Sequence, residues 1–209
     1  MLRKSITVVA LATIMISCHA QVISLPAHET KGGLTIMESL SNRSSSREFS
    51  SQELSNQTIS NLLWAAGGIN RPDSKKLTSP TAMNRQEILI YVFTKEYTAL
   101  YDNASHSLRV IVSGDSRALV AGGQEFVKTA PITLLMVGDL DKFGNKDANS
   151  RQMVAADAGI VSQNINLFCA GMGLVTVPRA MMDAQGIQKL LKLTENQIPI
   201  LNNPVGYKR

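Results

Sequence analysis

Two arginines four residues apart with three hydroxyls between them, Arg43-Ser44-Ser45-Ser46-Arg47, are the first place in this 209-residue chain where side chains could converge on a ligand. Arginine offers a planar fork of donors and serine adds neutral ones, a set suited to a phosphate. The plainer alternative is a solvated Ser-rich loop ahead of a helix, and spacing alone favours it. A second segment, Ser79-Pro80-Thr81-Ala82-Met83-Asn84-Arg85-Gln86, offers a Pro-set turn, exposed backbone amides and two carboxamides just before a strand-like run. Carboxamides and backbone groups are what a planar heterocycle with imide edges requires. Viewed alone, the segment is explained equally well as an ordinary polar loop.

Other chemistry is poorly supplied. Gly171-Met172-Gly173 follows a helical pattern rather than a strand and lacks a third glycine, so it ends a helix and is no dinucleotide fingerprint. Asp139-Leu140-Asp141-Lys142-Phe143-Gly144 starts like a calcium loop, but Phe143 takes a ligand position and Ser150 stands where a bidentate Glu belongs. Beyond residue 20 there remain Cys169, His28 and His106, too few for a disulfide or a closed zinc site. His28 lies in a Pro/Gly-flanked entry segment and His106 in a turn composition, which makes Ser-His and Cys-His nucleophile systems weak candidates. Cys169 reads as a buried small hydrophobe.

The elements that must position these segments are short. Leu34 to Leu40 reads as a short helix. Ser50 and Glu53 are spaced as in a capping box ahead of a second helix, with apolar positions from Leu54 to Ala66 and a stop at Gly67-Gly68. Residues 70–87 read as loop. Ile88–Phe93, Leu108–Val112 and Ile132–Val137 read as strands, and a helix over Ser116–Lys128 separates the last two. Arg151–Ala170 is the longest helical segment, apolar almost all round, which suits the centre of a fold or a subunit interface. A short extended run, Leu174–Val177, an amphipathic helix, Asp183–Leu191, and a tail from Ile198 to Arg209 complete one α+β domain without repeats.

Composition sets the outer bounds. The chain is 44% hydrophobic, 5% aromatic and 18% charged, which excludes a disordered chain, a polytopic membrane protein and a stacking platform for single-stranded nucleic acid. The first twenty residues carry a basic start (Arg3, Lys4), an apolar run from Ile6 to Ile16 and then Ser17-Cys18-His19-Ala20. That run is too short to span a bilayer and reads as a signal peptide over residues 1–20, ahead of a domain over 21–209. Export to the periplasm is expected, either soluble after cutting behind Ala20 or lipid-anchored at Cys18, since Met15-Ile16-Ser17-Cys18 loosely resembles a lipobox. Removal at Ala20 leaves 19 basic against 16 acidic residues, which is no nucleic-acid footprint.

Taken in order, the segments resemble the nitroreductase family, and within it the short SagB-type (thiazoline/oxazoline dehydrogenase-like) branch. The resemblance is carried by Arg43-x-Ser45-x-Arg47, by Leu62-Leu63-Trp64-Ala65-Ala66-Gly67-Gly68-Ile69-Asn70-Arg71, and by Thr78-x-Pro80-Thr81-Ala82-x-Asn84-x-Gln86. Gln124-x-Phe126, Ala130-Pro131, Gln163-Asn164, Gly173-Leu174 and Pro204-Val205-Gly206-Tyr207 continue it over about residues 25–209. No single motif is strong, but the ordered set is.

The resemblance implies a three-layer α+β sandwich with a central mixed or antiparallel sheet flanked by helices, dimeric, with FMN at the subunit interface. It implies that Arg43, Ser44, Ser45 and Arg47 hold the phosphate and ribityl chain, joined from the C-terminus by Lys208 or Arg209. Pro80, Thr81, Ala82 and Asn84 would lie along the isoalloxazine ring, with Val175, Thr176 and Val177 approaching its other side. Many relatives carry Ser at the position of Thr81; the hydroxyl is kept. Such a site needs no protein nucleophile, because the flavin carries the difficult step between NAD(P)H and an acceptor such as a nitroaromatic, a quinone or an azoline. Two other readings stay open: an exported flavin-binding protein without turnover, and a flavin-free interaction protein on the same scaffold.

Overall fold

The computed structural model describes residues 21–144 and 146–209, so the expected signal segment, residues 1–20, lies outside the described residues. Its centre is β7 (Ile132–Asp139), in which all eight residues are buried. A strand covered on both faces needs apolar residues throughout rather than at alternate positions, and Ile132-Thr-Leu-Leu-Met-Val137 supplies them. Around β7 a seven-stranded sheet runs in the order β1 (Val22–Ser24), β6 (Ser107–Ser113), β5 (Tyr97–Asp102), β4 (Ile88–Phe93), β7, β9 (Gln197–Tyr207) and β8 (Leu174–Thr176). All six pairings are antiparallel.

Alternate residues of the central strands feed two cores. On one face Ile90, Val92, Leu134 and Met136 pack with Leu62 and Leu63 of α2 (Asn56–Gly67) and Val161 and Ile165 of α4 (Ala148–Gly171). On the other, Tyr91, Phe93, Leu135 and Val137 pack with Val120 of α3 (Arg117–Ala121) and Ile187 of α5 (Ala184–Leu191). Each fully buried aliphatic or aromatic side chain contributes roughly 1.5–3 kcal/mol, and this two-sided burial makes the α/β/α sandwich. Cys169 is free and buried in the first core; burial pushes its thiol far up, leaving it inert.

Several expected elements differ. The helix over Ser116–Lys128 is two pieces: α3 stops at Gly122, which is left-handed (φ 56°), and a 3-10 turn covers Glu125–Thr129. A Cβ at Gly122 would meet the Met182 backbone at 2.8 Å, so glycine is required there. Ser50 and Glu53 form no capping box; α2 starts behind Ser55, whose hydroxyl accepts from the Thr58 N–H at 3.1 Å. The reciprocal pair occurs instead at Thr35 and Glu38, opening α1 (Ile36–Asn42). The expected loop 70–87 contains part of a small hairpin, β2 (Ile69–Arg71) with β3 (Lys76–Leu77). The tail is not a tail: Gln197–Tyr207 is β9, paired with both β7 and β8.

The entry segment is strapped down through the two histidines. β1 pairs with β6, His28 stacks on Trp64 with centroids 4.5 Å apart, and Ser60 donates to the Pro26 carbonyl at 2.6 Å. His106 lies 2.7 Å from the same Ser60 hydroxyl and 2.9 Å from the Tyr101 hydroxyl. Ser60 is fully buried and its proton is committed to a carbonyl, so this serine and histidine form a latch and not a nucleophile.

Candidate functional site

The first group of expected site residues is assembled at the margin of the sheet. Arg43 ends α1, its N–H bonded to the Ser39 carbonyl at 2.9 Å. From there the chain extends alongside β8: Ser45 bridges Thr176 in parallel, and the Ser46 N–H donates to the Thr176 carbonyl at 3.0 Å. It then meets the end of β9, where Phe49 bridges Lys208 and the Ser50 N–H donates to the Tyr207 carbonyl at 2.9 Å. Three segments far apart in sequence, 43–47, 174–177 and 207–209, therefore share one edge. Arg43, Ser44, Ser45, Arg47, Lys208 and Arg209 are exposed there. Among the described residues neither Arg43 nor Arg47 has an ion-pair partner.

Below this cradle the polar side chains are committed to one another. Thr176 is buried, and its hydroxyl accepts from Asn203 Nδ2 at 3.2 Å, so its backbone and not its side chain faces the cradle. Asn203 also donates to Asn166 at 3.1 Å and accepts from Ser162 at 2.7 Å. Val175 is half-buried and Val177 buried. Arg179, which the sequence pattern did not single out, is buried one strand away. Its guanidinium donates to Gln124 Oε1 (2.8 Å), Asn202 Oδ1 (2.6 Å) and the carbonyls of Val120 (3.0 Å) and Ala121 (2.8 Å). All four acceptors are neutral. Burial, and then repulsion from nearby Arg47, lower its affinity for its proton. The guanidiniums of Arg47 and Arg179 repel each other here, and among the described residues neither is ion-paired, which suits an anion site.

The second group sits elsewhere. Thr81 to Gln86 form a tight loop ahead of β4, and Met83, Asn84 and Gln86 are all left-handed, with φ of 52°, 54° and 52°. Such conformations are rare outside glycine and persist where surrounding bonds enforce them. Three bonds do so here. The Ala82 N–H donates to Asp157 of α4 at 2.7 Å, the Gln86 N–H donates to the Thr81 hydroxyl at 2.9 Å, and Gln86 Nε2 donates to the Lys75 carbonyl at 2.8 Å. The result presents Pro80, Met83 and Asn84 outward; Met83 is 73% exposed. Beside Asn84 and Gln86 opens a cavity of about 550 Å³ whose wall includes Lys75, Arg85, Arg109 and Lys142.

The two groups do not meet within one chain. The loop is tied to α4 at Asp157, whereas the cradle follows the C-terminal end of α4 at Gly171. At 1.5 Å per residue that stretch of helix spans about 21 Å. Of the residues the sequence pattern missed, Asp157 and Glu87 under the loop and Arg179 and Asn203 under the cradle all act from buried positions.

Comparison with known proteins bears on the family and the fold. A model of the Nitroreductase family matches residues 40–207. A protein of Methanocaldococcus jannaschii assigned as a nitroreductase is 29% identical over 188 residues, 84% of this chain and 92% of its own. A crystal structure from Ralstonia eutropha JMP134, assigned likewise, superposes with a TM-score of 0.84 at 32% identity, covering 90% of each chain. Nitroreductase A of Vibrio parahaemolyticus shares the fold, with a TM-score of 0.63 at 21% identity, covering 83% of this chain and 68% of that one. With a family model matched over most of the chain and a 32% identical structure covering 90% of it, the chain belongs to the nitroreductase family of flavin-dependent oxidoreductases.

Proposed function

We propose that the protein is an FMN-dependent oxidoreductase that takes electrons from NAD(P)H, works as a homodimer and belongs to the SagB-type branch. The observation that carries this reading is the cradle: Arg43 and Arg47, without ion-pair partners among the described residues, lie on the same edge as Lys208, with buried Arg179 behind them. Such a cluster fits a phosphate monoester, whose charge relieves the repulsion that the arginines otherwise exert on each other. The hydroxyls of Ser44 and Ser45 are free to supply neutral donors to the phosphate or its polyol chain. The amide loop fits a planar ring with imide edges, since Asn84 holds a carboxamide outward on a fixed backbone.

When bound, FMN supplies two-electron chemistry, with NAD(P)H as reductant and a nitroaromatic, quinone or azoline-like compound as acceptor. The chain's own residues bind, orient and exclude water; no side chain is needed as nucleophile. Two features support a homodimer. One chain holds the cradle and the loop apart, and α1 exposes Ile36 (60%), Met37 (71%) and Leu40 (48%) beside Leu34 and Met172. An apolar patch of that kind marks a surface that another protein covers. Export to the periplasm, soluble or lipid-anchored at Cys18, remains part of the proposal, on the character of residues 1–20.

Purified protein titrated with FMN tests the reading directly. Uptake of one flavin per chain with quenching of its fluorescence is expected, followed by anaerobic bleaching with NADH or NADPH. Absence of any uptake sinks it, and uptake without bleaching leaves the flavin-binding protein that turns nothing over.

A further inference from the structure

Glu87 joins the amide loop to β4 and is completely buried, and among the described residues no hydrogen-bond donor reaches either of its carboxyl oxygens. A charged carboxylate so placed is strongly disfavoured, and such a group keeps a proton instead. Asp157 of α4 faces it, and Asp157 already accepts the Ala82 N–H at 2.7 Å. The other approaches are uncharged. Thr81 turns its hydroxyl toward Glu87, and β7 comes near through backbone, the Asp139 N–H donating to the Glu87 carbonyl at 2.9 Å. Arg85 leans away, its guanidinium donating to the Lys142 carbonyl at 2.7 Å and lying over the Phe143 ring.

We infer that Glu87 holds a proton which it shares with Asp157, and that this proton keeps the amide loop in its left-handed shape, making Glu87 a positioning residue for the ring the loop receives. The protonated Glu87 carboxyl donates to Asp157, which keeps its bond from the Ala82 N–H. When the proton leaves for solvent, two carboxylates face each other in a dry site. Asp157 is then driven from its place, and the loop loses the bond that fixes it to α4. Burial first, and Asp157 second, raise Glu87 from the usual carboxyl range to about 7. The folded state therefore binds more protons than the unfolded chain between about 4.5 and about 7, so stability falls as pH rises through that window.

The identity of the ring rests on the FMN reading; the proton does not, and the experiment separates them. Thermal unfolding of the flavin-free protein and FMN affinity are measured from pH 5.5 to 8.5 for the parent and for Glu87→Gln, which is neutral at every pH. In the parent the melting temperature falls across the window and the FMN Kd rises roughly fivefold from pH 6 to 8.5, while in the variant both stay flat to within about twofold. Should Glu87→Gln fail to fold, Asp157→Asn takes its place; removing the facing charge moves the melting step to lower pH. Parallel pH profiles in parent and variant overturn the inference. Diverging melting profiles with no FMN uptake at any pH uphold the proton and sink the flavin reading.

Discussion

The cradle and the amide loop are built on opposite principles. The cradle is shaped by backbone hydrogen bonds along the sheet margin, and its charged side chains stand exposed with no ion-pair partners among the described residues. The loop is shaped by side chains, above all Asp157 and Thr81, and its backbone is forced into conformations that favour glycine. One region has its shape without a ligand and lacks only the opposing charge. The other spends stability on shape. Mutations should therefore separate them: substitutions in the cradle move binding and spare folding, whereas substitutions under the loop move folding first.

The largest effect expected is on binding. Arg43→Ala together with Arg47→Ala removes two charge-assisted donors at about 1.5–3 kcal/mol each, weakening FMN retention by 100-fold or more. The melting temperature of the flavin-free protein should barely move, because the side chains are exposed. Equal flavin retention in the double variant breaks the cradle assignment. Next comes Asn203→Ala, which strands the buried partners Ser162, Asn166 and Thr176. A loss of about 2–3 kcal/mol in denaturant unfolding is expected, a folding effect from beneath the cradle that marks where exposed chemistry gives way to buried support. Thr81→Ala leaves the Gln86 N–H without its acceptor and should lower stability by about 1 kcal/mol. The smallest change is Met83→Gly. Relief of a left-handed residue, about 1 kcal/mol, is nearly offset by the added freedom of glycine in the unfolded chain, so the net shift stays within about 0.5 kcal/mol. A larger gain means that the loop is more strained than its bonds suggest.

The cradle was more legible in the sequence than the loop, and the physical reason is range. Arg43, Ser45 and Arg47 stand together in the chain, so the cluster is visible in the sequence, although the sheet edge that holds it is not. Glu87, by contrast, looks like the polar flank of an apolar strand; its burial depends on α4, seventy residues later, and nothing local signals it. The sandwich was readable from the apolar runs of β4, β6 and β7. β5 was not, since Tyr97-Thr-Ala-Leu-Tyr-Asp102 mixes small and polar residues that only its neighbours make into a strand. β9 was hidden by Pro199 and Pro204, which read as breakers. Pro199 is tolerated where the register of β9 against β7 shifts, between Met136 and Val137. Gly122-Gly123, both left-handed, shortened a helix whose apolar pattern otherwise ran on.

The sheet ends on both sides in strands of three residues, β1 and β8. Open strand edges are templates on which another chain can grow, and proteins blunt them by keeping edges short or covered. Here β1 is brief, and β8 is flanked by the segment carrying Arg43 to Arg47. The segment that carries the cradle thus also occupies the outer side of β8, where a strand of another molecule would otherwise pair. Crowded solutions of this protein should resist fibre growth from the β8 side at low and high ionic strength alike, because backbone pairing and not charge covers that edge.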